Sequence, residues 1–116
     1  MKHSAWTALP LERLSETISR RLITGEKLMA AMVELKQGAI VPLHHHESEQ
    51  ITYVVNGWLR FTFEDGHHID VREGEVLVIP SNVEHSAEAL EDTVDLDYFS
   101  PIREDWLSGG DAYLRG

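Results

Sequence analysis

The spacing of turns limits this chain more than any other feature. Gly25, Gly38, Asn56-Gly57, Asp65-Gly66, Gly74 and Pro80-Ser81-Asn82 divide its 116 residues into short pieces. The pieces between them are rich in Val, Ile, Leu and aromatics: 27–36 (KLMAAMVELK), 50–55 (QITYVV), 58–63 (WLRFTF), 68–71 (HIDV), 75–80 (EVLVIP) and 93–99 (TVDLDYF). Several alternate with the period of a strand. Val94, Leu96 and Tyr98 fall on one face, and Asp95, Asp97 and Phe99 on the other. Short strands joined by turns predict an all-β sandwich or barrel. VVNGWL, with Asn56-Gly57 at its centre, predicts a tight hairpin, and FEDGHH predicts a second. Leu11, Leu14, Ile18 and Leu22 instead keep helical spacing and by themselves predict an N-terminal helix. SPIREDWLSGG predicts a short helix or turn, with Ser100 as cap, Pro101 in the first position and Gly109-Gly110 as the stop.

Bulk properties narrow the partners. Ten basic and twenty acidic residues give a net charge of −10, which opposes nucleic acid and anionic membranes. A small anionic substrate is still possible, because a bound metal reverses the field locally. The chain has no cysteine, so it can form no disulfide, thiolate metal site or cysteine nucleophile. No apolar run approaches the roughly 18 residues of a membrane span. The first residues lack the apolar core of a signal peptide, and a cytoplasmic location is expected.

The chemistry concentrates in two motifs. Residues 38–57 read G-x5-H-x-H-x3-Q-x6-G, with Gly38, His44, His46, Gln50 and Gly57 at the marked positions. Residues 74–85 read G-x5-P-x-N-x2-H, with Gly74, Pro80, Asn82 and His85. On a strand His44 and His46 face one point while His45 faces away; Gln50 and His85 can approach that point from other strands. Three imidazoles and an amide oxygen leave coordination positions open, as a catalytic site requires. Such ligands suit Ni, Zn, Fe or Mn and do not choose among them. Glu49 is the adjacent carboxylate, but it lies out of phase with Gln50. His3, His45, His67 and His68 read as ordinary surface residues.

The paired motifs resemble the cupin superfamily over roughly residues 27–99. The resemblance implies a single cupin domain over 1–116, a double-stranded β-helix or jelly-roll barrel with a short C-terminal helix or turn. N-terminal strands would occupy 5–24 and a tail 100–116, so the resemblance overrides the helix. The usual cupin ligand at the Gln50 position is glutamate. A neutral glutamine leaves the ion its full charge, hence a stronger Lewis acid and a better anion binder. Asn82 replaces a motif glycine, and the turn there needs a left-handed backbone that asparagine tolerates.

LDYFSPIREDWL, together with the stretches around both motifs, resembles more narrowly the KdgF-type pectin degradation proteins. Their Asp-x-Phe-Ser-Pro-Pro-Arg-Glu-Asp run is matched at Asp97, Phe99, Ser100, Pro101, Arg103, Glu104 and Asp105, with Ile102 in place of the second proline. The resemblance implies His44, His46, Gln50 and His85 as ligands of one divalent metal ion. It implies Asp97 as the catalytic residue and Phe99 as a substrate contact. It also implies conversion of cyclic 4,5-unsaturated monouronates, small anionic sugars, into the linear 5-keto-4-deoxyuronate. Family habit adds a homodimer with the N-terminal segment at its interface. Arg60 and Arg103 can each bind a carboxylate bidentately, and an exposed structural role fits them equally. Trp58 and Tyr53 fit a pocket wall or the core, and the core is favoured. A metal dioxygenase and a non-catalytic sugar-binding cupin are the alternative readings on the same scaffold.

Overall fold

The computed structural model describes residues 1–115. In chain order the strands are β1 (Glu12–Arg13), β2 (Ile18–Thr24), β3 (Met29–Leu35), β4 (Ile40–His44), β5 (Glu49–Asn56), β6 (Trp58–Phe63), β7 (His68–Arg72), β8 (Val76–Ile79), β9 (His85–Ala89) and β10 (Thr93–Ser100). Antiparallel pairs nest inside one another: β3 with β10, β4 with β9, β5 with β8 and β6 with β7. This nesting is the signature of a jelly roll. One sheet runs β1-β2-β3-β10-β5-β8 and faces a second that runs β4-β9-β6-β7.

The N-terminal region is strand, not helix. Ile18 and Arg20 face inward on β2, which pairs with β3 along its whole length. Sheet pairing overrides a helical spacing of leucines, because a lone amphipathic helix gains less than a strand added to an existing edge.

The Asn56-Gly57 hairpin is not formed. β5 and β6 lie in different sheets, and the chain crosses between them at Gly57. Gly57 has φ 106°, and a side chain there would come within 2.6 Å of the Asp92 carbonyl oxygen. The glycine serves that close approach rather than a type I′ turn. The Asp65-Gly66 turn does join a true hairpin, β6 to β7, with the Gly66 N–H donating to Phe63.

The interior is filled from both sheets by Val33, Leu35, Val54, Leu59, Phe61 and Ile79. Trp58 and Tyr53 are not in it. Trp58 is outward on β6, stacked by Arg72 at 3.6 Å, and Tyr53 is on the outer face of β5, out of phase with buried Val54. β10 reverses the usual pattern. Its inward residues are Thr93, Asp95, Asp97 and Phe99, while Val94, Leu96 and Tyr98 point out.

After β10 a tail closes one side of the barrel. Its helix α1 (Glu104–Ser108) starts after Arg103, not at Ser100, which is still strand, and ends at left-handed Gly109. Buried Arg20 anchors this tail. Its Nη2 donates to Asp111 at 2.6 Å and its guanidinium lies 4.3 Å from the Trp106 ring. No helix among the described residues is long and apolar enough to cross a membrane.

Candidate metal centre

His44 ends β4 and pairs directly across the ladder with His85, which opens β9. His46 lies two residues past β4, in the turn leading to β5. Two hydrogen bonds hold that turn. The Asn82 N–H donates to the His46 carbonyl at 2.8 Å, and the Ser48 hydroxyl donates to the Pro101 carbonyl at 2.6 Å. Asn82 has φ 63°, the left-handed conformation that its side chain tolerates. The three imidazoles meet as a result, with ligand atoms within 4.8 Å of one another.

Each ring is oriented by a backbone carbonyl. Nδ1 donates to Pro42 in His44, to Ser48 in His46 and to Val83 in His85, at 2.7–2.8 Å. A proton on Nδ1 leaves the Nε2 lone pair bare in all three. Burial pushes His44 and His46 down to about 4 and lowers His85 as well. The imidazoles are therefore neutral, as metal ligation requires.

Gln50 supplies the test of fit. Its amide nitrogen donates to Thr52 Oγ1 at 2.8 Å, and the Thr52 hydroxyl donates onward to Asp97 at 2.7 Å. This relay fixes the amide orientation, so Gln50 Oε1 faces His46 Nε2 at 3.1 Å. Both atoms are acceptors. Two lone pairs directed at each other repel unless a cation lies between them. The donor set of His44, His46, His85 and Gln50 thus fits a divalent ion of the borderline type.

The acid lies beside this group. Asp97 is 8% exposed and also accepts from the Gln50 amide at 3.4 Å. Burial raises its pKa, and hydrogen bonds from Asp95, Thr52 and Gln50 oppose the rise. Phe99 packs edge-on to His46 with ring centres 5.7 Å apart. His44, Gln50, His85, Asp97, Phe99 and Arg103 all line one cavity of about 60 Å³.

The two arginines separate. Arg103 is buried at the cavity wall. Asp105 holds it bidentately at 2.7–3.0 Å, and the guanidinium also donates to the Tyr113 hydroxyl. Its Nη1 has no partner among the described residues. Arg60 is on the outer face, clamped bidentately by Asp70 at 2.8–3.0 Å, and is not among the cavity residues. Of the two roles expected for Arg60, the structure places it in the exposed structural one: its strand phase matches outward Trp58 rather than inward Leu59 and Phe61.

Asp95 and Tyr113 also line the cavity, and motif reasoning gave neither a role. Tyr113, from the C-terminal tail, packs tilted against His44 with ring centres 4.9 Å apart. For Asp95 the signal was available, since it shares the phase of Asp97 and Phe99.

Residues 31–100 match the cupin domain family. The chain belongs to the cupin family. The pectin degradation protein KdgF of Dickeya dadantii is 35% identical over 101 residues, 84% of this chain and 91% of that protein. A solved structure of KdgF from Halomonas sp. superposes with a TM-score of 0.76 at 34% identity, covering 84% of this cupin and 92% of the other chain. The oxalate decarboxylase OxdC of Bacillus subtilis is 37% identical over 81 residues, which are 66% of this cupin but 21% of that much longer protein.

Proposed function

We propose that this cupin is a metal-dependent isomerase that converts cyclic 4,5-unsaturated monouronates, the products of pectin or alginate lyases, into linear 5-keto-4-deoxyuronate. One observation carries the reading: three neutral imidazoles converge, with the Gln50 amide oxygen against one of them, and His44, Gln50 and His85 line one cavity with a buried aspartate, an aromatic ring and a guanidinium. The likeness to KdgF over most of both chains supports it.

His44, His46, His85 and Gln50 would hold the ion, which supplies a Lewis acid for the substrate's carboxylate and hydroxyl oxygens. The remaining roles fall to side chains. Phe99 offers a flat apolar surface to one face of the sugar, and the Arg103 guanidinium at the cavity wall offers a positive charge to an anionic group. Ring opening breaks the C1–O5 bond; the C1 hydroxyl proton is lost and O5 gains one, giving an aldehyde and a C5 enol. Tautomerisation removes the enol proton and adds one at C4, leaving a C5 ketone. The steps sum to an isomerisation that consumes no water and needs no oxidant. Asp97 is the group that accepts and returns a proton.

The test is proton magnetic resonance in deuterated water with purified unsaturated galacturonate. The reading expects a linear ketone carrying deuterium at C4, formed faster than in the protein-free control. Oxygen uptake would point to the dioxygenase instead, and binding without turnover to the sugar-binding cupin.

A further inference from the structure

The cupin match ends at Ser100, but the wall of the cavity continues past it. Arg103, Trp106 and Tyr113 come from the tail and line the cavity together with His44 and Phe99. Tyr113 sits in a single 3-10 turn, Ala112–Leu114. The turn is fixed from both sides. Asp111, just before it, is bound to Arg20 of β2 at 2.6 Å, and Leu114, within it, is buried in the core.

Two contacts define what the Tyr113 side chain does there. Its ring packs against His44, at the end of β4. Its hydroxyl oxygen accepts from Arg103 Nη2, and the Trp106 Nε1–H approaches the same oxygen at 3.4 Å. A phenol oxygen has two lone pairs, so it can serve both N–H groups. Arg103 is also clamped by Asp105, at Nε and again at Nη2, and its guanidinium carbon lies 5.1 Å from the Phe99 ring centre and 4.8 Å from that of Trp106. The Asp105 clamp is local: it is two residues away on the same short segment, and its side chain is part-exposed. Such a clamp can move with the arginine. Tyr113 is ten residues on and packed against the histidine cluster, so its bond ties the guanidinium to the barrel.

We propose that Tyr113 is a positioning residue that acts through Arg103: its hydroxyl sets the guanidinium at the cavity wall to receive the carboxylate of a uronate. The proposal rests on the reading of the substrate as a uronate and deepens it. A planar guanidinium fork selects a carboxylate only while its direction is fixed.

The experiment is titration calorimetry on the full chain loaded with Zn²⁺, with galacturonate and its neutral methyl ester as probes. Wild type, Tyr113→Phe, Arg103→Lys and the double variant are compared. Wild type should hold galacturonate more tightly than the ester. Tyr113→Phe keeps the ring against His44 and removes only the hydroxyl. It should weaken galacturonate about 5- to 10-fold and the ester by less than about 2-fold. In the Arg103→Lys background the same substitution should add less than about 2-fold, because no fork is left to position. In turnover of unsaturated galacturonate, Tyr113→Phe should raise KM by a similar factor with kcat nearly unchanged. Equal weakening of both probes, the pattern of a loosened tail, overturns the proposal. So does an undiminished effect of Tyr113→Phe beside Arg103→Lys, no effect of Tyr113→Phe alone, or a wild type that does not prefer galacturonate to the ester. If wild type binds galacturonate but leaves the unsaturated sugar unchanged, the isomerase reading fails while the binding comparison still decides the role of Tyr113.

Discussion

Asp111 and the Asp95–Asp97 pair are all buried acids, yet their surroundings push them in opposite directions. Asp111 is fully closed off and meets two guanidinium groups, Arg20 at 2.6 Å and Arg115 at 3.1 Å. Burial alone would raise its pKa, but the hydrogen bonds from Arg115 and Arg20 outweigh it and the net shift is downward. Asp95 and Asp97 have neutral donors or none, and burial raises both, Asp95 the more. The first acid fastens the tail to the barrel. The second two are buried without a cation to pair with, a cost in stability that the proposed function would explain as the usual trade at a functional site.

Substitutions can break this contrast in a graded way. The largest effect is expected from Asp97→Asn, a loss of about 100-fold to 10,000-fold in kcat. Metal content by elemental analysis should be unchanged, because Asp97 is not among the proposed donors. Asp111→Ala should leave buried Arg20 with only the part-exposed Glu12 carboxylate as a partner and lower stability by roughly 3 kcal/mol in denaturant unfolding. Asp95→Leu should act oppositely and raise stability by roughly 1–2 kcal/mol at pH 7, since it removes a buried polar group that lacks a full set of partners.

The pH dependence sharpens the same contrast. The Asp111 shift is downward, so its contribution is present above the ordinary carboxylate value of 3.8 and lost as pH falls through the folded-state value. The Asp95 shift is upward, so its cost appears above 3.8 and disappears as pH drops below it. The stability gain of Asp95→Leu should therefore vanish in acid, and the loss in Asp111→Ala should shrink there too. Thermal melts across pH would show both trends. The smallest effect is expected at Arg60: Arg60→Ala should leave turnover within about 3-fold, because its guanidinium is bound by Asp70 outside the cavity.

Local order in the chain made the candidate donor set legible. His44, His46, Gln50 and His85 sit at fixed offsets from glycines and a proline whose backbone needs set the turns, and Asn82 carries the left-handed angle its position requires. Contacts between distant residues were not legible. Arg20 reaches Asp111 across 91 positions, and Tyr113 reaches Arg103 and His44 only because the tail folds back. Asn56-Gly57 misled for a related reason. The dipeptide favours a hairpin locally, but the jelly roll sends the two strands to opposite sheets, and Gly57 is needed for the approach to Asp92 and Thr93. The inward acids of β10 showed in the alternation, but their different hydrogen-bond surroundings depend on Thr52 and Gln50, which belong to another strand.

The most direct measurement follows the ultraviolet absorbance of the conjugated enol ether after mixing unsaturated galacturonate with metal-loaded protein. Wild type, His46→Ala and Asp97→Asn would run side by side. The account expects accelerated decay with wild type, none above background with His46→Ala or Asp97→Asn, and metal retained in Asp97→Asn. Decay by Asp97→Asn at the wild-type rate would contradict the assignment of Asp97. No acceleration by metal-loaded wild type would contradict the account as a whole.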